Sequence, residues 1–70
     1  MNIYHFAQHD DGGRIISIDS FIANAYEEAL GSAEKKAENI NSHGVTYCNA
    51  KGESLDVPRD YLKKKYGNIF

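Results

Sequence analysis

The chain has one cysteine, Cys48, so it cannot close an internal disulfide, and a small secreted scaffold held by bridges is excluded. No apolar run is long enough to cross a bilayer. Met1 to His9 has neither the basic start nor the apolar stretch of a secretory signal, so the expected compartment is the cytoplasm, of a cell or of an infected host. Glycine-rich phosphate loops are missing too: Gly12-Gly13 belongs to neither a Gly-x-x-x-x-Gly-Lys-Ser nor a Gly-x-Gly-x-x-Gly pattern. There is no internal repeat, linker or low-complexity segment. The 70 residues read as one domain with a thin core, which leaves little room for an enclosed substrate pocket.

Charge is nearly balanced overall, at −2, but unevenly placed. From Met1 to Glu34 the acids Asp10, Asp11, Asp19, Glu27, Glu28 and Glu34 face Arg14 alone. From Lys35 onward, Lys35, Lys36, Lys51, Arg59, Lys63, Lys64 and Lys65 face Glu38, Glu53, Asp56 and Asp60. Such segregation bears on partners and encounter rather than on fold, and folding can cancel it by interleaving the halves.

The order of elements follows from pattern. Ile3-Tyr4-His5-Phe6-Ala7-Gln8 is rich in strand formers. Asp10-Asp11-Gly12-Gly13 supplies the positive φ of a tight turn, so an antiparallel strand returns from Arg14, with Ile16 and Ile18 on one face and Ser17 and Asp19 on the other. Either a helix starts at Ser20, or the strand continues to about Ala23 and Asn24 caps a helix. The second reading has the clearer mechanism: Asn24-Ala25-Tyr26-Glu27 resembles a capping box, with Glu27 and Glu28 near the positive end of the helix dipole. Tyr26, Ala29, Leu30, Ala33, Ala37 and Ile40 then form a helical stripe. Asn41-Ser42-His43-Gly44 ends it. Val45 to Cys48 is a third strand, Asn49-Ala50-Lys51-Gly52 a short loop with Gly52 left-handed, and Ser54 to Val57 a fourth strand stopped by Pro58. Tyr61, Leu62 and Tyr66 mark a last short helix, and Asn68-Ile69-Phe70 a tail that docks or frays. The expected class is α+β: an antiparallel sheet, β-β-α-β-β plus a short C-terminal helix, with one long helix on one face.

No residue pattern points to catalysis, a metal or a cofactor. His5 and His9 lie about 13 Å apart if the strand is extended, too far to share one ion. His43 and Cys48 flank a strand without a second pair of ligands. Asp10 and Asp11 fit turn chemistry better than a carboxylate dyad, because an exposed turn does not desolvate them. Adjacent Ser42 and His43 have no orienting carboxylate. Two surfaces remain as candidates. The acids Asp10, Asp11, Asp19, Glu27 and Glu28 could present a negative face to a basic protein partner. Arg59, Lys63, Lys64 and Lys65, with Tyr61 and Tyr66, could instead contact phosphates and bases of a nucleic acid. Sheet edges could also pair two copies into a homodimer.

Two families share features with this chain. Asp10-Asp11-Gly12-Gly13-Arg14-Ile15-Ile16-Ser17, followed by Tyr26-Glu27-Glu28-Ala29-Leu30-Gly31-Ser32-Ala33, resembles the glycine-rich hairpin and Glu-Glu-Ala helix of HicB-type antitoxins. That resemblance implies neutralisation of a small RNA-cleaving toxin, although the stretch from Ile18 to Tyr26 is shorter than the family's third strand needs. The whole plan (hairpin, one helix, further strands and clustered charge) resembles small phage-encoded anti-CRISPR proteins. It implies stoichiometric inhibition of a CRISPR effector complex by surface binding, and it carries over no site residue.

Overall fold

The computed structural model describes residues 1–67; the tail expected at Asn68-Ile69-Phe70 lies outside the described residues. Strands β1 (Asn2–His9), β2 (Ile15–Ala23) and β3 (Gly44–Cys48) form an antiparallel sheet of order β2-β1-β3. Helix α1 (Tyr26–Asn39) joins β2 to β3, and helix α2 (Arg59–Tyr66) follows β3. The α+β class and the antiparallel sheet agree with the sequence reading. The fourth strand does not form: Ser54 makes one isolated bridge to Cys48, and the Leu55 amide donates to the Tyr47 carbonyl at 2.9 Å. Residues 55–57 carry no further ladder pairing before Pro58, which has no amide to donate, opens α2.

Two turns share one design. The Asp10 carboxylate accepts from the amides of Gly12 (3.0 Å) and Arg14 (2.8 Å), while the Asp10 amide donates to the Arg14 carbonyl at 2.9 Å. Asn49 repeats the arrangement, accepting from Lys51 (2.9 Å) and Glu53 (3.0 Å), with its amide donating to the Glu53 carbonyl at 3.0 Å. The fourth residue of each turn is a left-handed glycine, Gly13 at φ 83° and Gly52 at φ 86°. Past the first turn, β1 pairs Gln8 with Ser17 and His9 with Ile15, so Ile16 is the extra residue of a bulge.

The cap of α1 differs from expectation by one position. Ala25, extended at φ −144°, is the N-cap and gives no side-chain bond. It is Glu28, not Glu27, that reaches back, accepting from the Asn24 amide at 3.4 Å. Glu28 stands on the third helical residue, where a capping-box carboxylate belongs, but the amide it takes is that of Asn24, one residue before the N-cap. At the other end Asn41 turns left-handed (φ 56°), and the Ser42 amide donates to the Ala37 carbonyl at 2.8 Å, closing a Schellman motif.

The core lies between α1 and one sheet face. Phe6 of β1 is fully buried, and its ring lies 5.6 Å from Tyr26, 5.6 Å from Tyr47 and 6.1 Å from Phe21. Ala29 and Ala33 are fully buried beneath α1, small enough to bring the helix onto these rings. Leu30 is half-buried, and Ile40, at the end of the expected stripe, is exposed. Among the described residues Gln8 is the buried polar exception: its Nε2 donates to the Ala33 carbonyl at 3.1 Å, while Oε1 has no partner. An unpaired buried amide oxygen costs about 1–3 kcal/mol. Gln8→Met, close in volume, should therefore raise stability by about 1 kcal/mol, read as a higher urea midpoint at unchanged slope.

Candidate interaction surface

Strand parity settles what the two sheet faces carry. Tyr4, Phe6 and Gln8 of β1 face α1, and register places Phe21, Asp19 and Ser17 of β2 and Tyr47 and Val45 of β3 beside them. The opposite face therefore carries Ile3, His5, Ala7 and His9, then Ile15, Ile18, Ser20 and Ile22, then Thr46 and Cys48. No carboxylate, lysine or arginine stands at these strand positions.

Part of this second face is covered. A Cβ at Gly52 would lie 2.8 Å from Ile18 Cδ1 and 3.8 Å from Ile15 Cδ1. With β3 and β2 on opposite sides of β1, the Asn49–Glu53 turn must cross β1 to rest there. Ala7 and Cys48 are accordingly almost wholly buried. Burial pushes the Cys48 thiol pKa upward, which keeps it unreactive. Beyond the turn the face is open, with Ile3 60% and Ile22 67% exposed; beside the turn Ile15 and Ile18 remain 48% and 41% exposed, and the bulge residue Ile16 50%. Polar groups within it bond to one another. His5 Nδ1 and Ser20 Oγ are 2.8 Å apart, and His9 lies 2.8 Å from Thr46 Oγ1 and 3.2 Å from the Gly13 carbonyl. A histidine ring held by a hydroxyl and a carbonyl is oriented as a structural member of the sheet.

The expected acidic face is not one patch. Asp10 and Asp11 sit at the hairpin end of the sheet, and Glu27 and Glu28 at the start of α1, separated by the length of β2, about 30 Å at the strand rise. Asp10 is engaged in its turn. Asp19, expected on the solvent side, faces α1 instead, with a 16% exposed side chain paired with Lys36. The aromatic rings at Phe6 and Phe21 claim that face for the helix, and Asp19 shares their parity.

The basic, aromatic cluster is also partly engaged. The Tyr61 ring packs 4.8 Å from Tyr26 in an edge-on contact, so it belongs to the core rim rather than to a stacking platform. Lys64 pairs with Glu27, and Lys65 lies over the rings of Tyr61 (5.6 Å) and Tyr66 (5.5 Å). Arg59 and Lys63 are exposed on α2. The two charge groups of the sequence thus meet at Glu27 and Lys64. Beside that contact is a cleft of about 180 Å³ lined by Tyr4, Tyr26, Tyr61, Glu27 and Lys64 among others, below the usual size of a small-molecule site.

Among the described residues no three His, Cys, Asp or Glu side chains are grouped to hold a metal ion, and no helix is long and apolar enough to cross a membrane. Comparison with protein-family models, curated proteins and solved structures found no match. The open isoleucine face is what sequence reasoning missed. Alternation in Ile16-Ser17-Ile18-Asp19 pointed to two unlike faces, but not to which one the helix would take. The parity of the aromatics at Tyr4, Phe6 and Phe21 was the available signal.

Tyr26 ties this region to pH. Its phenol pKa is raised above 10.0, mainly by burial and then by the nearby Tyr61 and Tyr47. The unfolded chain ionises this phenol first, so its contribution is complete below about pH 10 and is lost as pH rises through the higher folded value. Stability should therefore fall at alkaline pH, and Tyr26→Phe should flatten that fall in urea titrations repeated across the range.

Proposed function

We propose that this chain is a small non-enzymatic binding protein that works by stoichiometric contact through the open isoleucine face of its sheet. The observation that carries this reading is the exposure of Ile3, Ile15, Ile18 and Ile22 on the side that α1 leaves uncovered. Isoleucines at its strand positions, interrupted by the bonded His5–Ser20 pair and with no carboxylate, lysine or arginine among them, are unusual on a domain in which 26% of residues are charged, and exposed apolar surface marks interaction sites. The partner that fits is a protein with an apolar, uncharged surface; rim charges such as Asp10, Asp11 and Arg14 on the hairpin would steer its approach.

In its most concrete form the protein is a phage or prophage inhibitor that occupies a surface of a bacterial CRISPR effector complex in the host cytoplasm. Support for that form is the resemblance in size and architecture. A tagged pull-down from nuclease-treated lysate expressing such a complex tests it, with stoichiometric recovery of the complex as the expected result. Recovery of a small RNase toxin would favour the HicB-like reading. Binding of nucleic acid alone, removed by nuclease, would shift the site to Arg59 and Lys63.

A further inference from the structure

The two edges of the sheet are guarded unequally. On the β3 side, Ser54 bridges Cys48 and the Leu55 amide bonds Tyr47. On the β2 side no described strand other than β1 pairs with residues 15–23, so its outer edge is open. Strand edges left open are normally blunted by lysine, proline or inward charge. β2 has neither lysine nor proline, and its one charge, Asp19, is turned under α1 to Lys36.

Backbone direction is readable from the hydrogen bonds. The His43 amide donates to the His9 carbonyl at 2.7 Å, so His9 points its polar groups toward β3. Alternation along β1 then turns those of Gln8, Phe6 and Tyr4 toward β2. Their register partners Ser17, Asp19 and Phe21 answer them. Ile18, Ser20 and Ile22 are left with amide and carbonyl groups pointing outward from the open edge.

We propose that β2 pairs antiparallel with β2 of a second copy about a two-fold axis at Ser20, joining two three-stranded sheets into one of six strands. In this register Ser20 faces the second copy's Ser20, and Ile18 faces Ile22, so all three outward residues exchange both ladder bonds, about six in total. Asp19 falls opposite Phe21 rather than opposite its own copy. An axis at Asp19 places two carboxylates face to face, which is unfavourable. An axis at Ile18 brings Ile16, the bulge residue, into the ladder and carries Ile22 onto Arg14 in the turn. The Ser20 register has neither fault. It also sets the two isoleucine faces side by side on one side of the joined sheet, because the axis is perpendicular to it. This pairing uses backbone groups and stands independently of which partner the isoleucine face binds.

Sedimentation of the full chain from micromolar to millimolar concentration tests it, together with amide exchange on the same samples. The expected result is a doubling of sedimenting mass with concentration, with the amides of Ile18, Ser20 and Ile22 slowing as the dimer fills. Ser20→Cys should then form an intermolecular disulfide under oxidised glutathione, since paired Cα atoms at about 5.5 Å lie within disulfide reach. Ser17→Cys, which faces Ala23 of the second copy, should not. Cys48, almost wholly buried, stays out of the reaction. Ser20→Pro, which removes an outward amide and the exposed side-chain bond to His5, should stay folded by circular dichroism and sediment as a monomer. A monomer throughout the range with all three amides exchanging freely would overturn the proposal, as would crosslinking of Ser17→Cys as readily as of Ser20→Cys.

Discussion

Phe6→Ala should leave most of the chain unfolded at room temperature, with the far-ultraviolet dichroism of the folded state largely lost. Phe6 is fully buried and touches ring partners from all sides of the core: Phe21 on β2, Tyr26 on α1 and Tyr47 on β3. Truncating a buried phenylalanine costs about 3–5 kcal/mol, from lost transfer energy and the cavity left behind. A single core of this size rarely supplies more than about 3–5 kcal/mol in total. The two quantities are equal, so the substitution removes essentially the whole margin. Phe6→Leu refills most of the space and should cost less than about 2 kcal/mol, leaving a folded protein with a lower urea midpoint. A folded Phe6→Ala protein with an unchanged midpoint would mean that the aromatic cluster is not the centre of the core.

The second large effect is on binding. Ile3 and Ile22 are direct cross-strand partners and, among the described residues, the two most exposed isoleucines, at 60% and 67%. Ile3→Lys combined with Ile22→Glu places opposite charges across the β1–β2 pair, which offsets the change by about 0.2–1 kcal/mol and keeps the sheet together. The same change puts two charges at the most exposed end of the proposed contact. An interface core loses at least about 2 kcal/mol when an anchor is replaced this way, or roughly 30-fold in affinity. Partner capture should therefore drop at least about 30-fold while dichroism and urea midpoint stay near those of the unaltered chain. The substitution leaves the Ser20 register without a like-charge contact, because Ile22 meets Ile18 of the second copy, so loss of partner and loss of dimer are separable.

Much of the architecture was legible in the chain because short-range chemistry wrote it. Asp10 to Gly13 and Asn49 to Gly52 specify their turns through a side-chain oxygen and a left-handed glycine, both local features. Ala29 and Ala33 marked the buried stripe of α1. What failed depended on contacts distant in sequence. Ser54 to Val57 has strand propensity, yet it adds only one bridge beyond β3, and tertiary pairing overrides propensity in such short segments. Asp19 reads as a surface residue until Phe6 and Phe21 decide its face. The acids look like a group in sequence, but β2 holds the two pairs at opposite ends of the sheet. The isoleucine face was hidden for the same reason: alternation says that two faces differ, and only packing says which is covered.

The measurement that bears most directly on this account is a side-by-side capture of the effector complex by three forms of the protein. These are the unaltered chain, Ile3→Lys with Ile22→Glu, and reversal of Asp10, Asp11, Glu27 and Glu28 to lysine, all verified as folded. The account predicts stoichiometric capture by the unaltered chain, near-complete loss with the isoleucine variant, and retention with slower association for the charge-reversed form. Full capture by the isoleucine variant and loss only on charge reversal would contradict it, and would make the acidic side chains the contact surface.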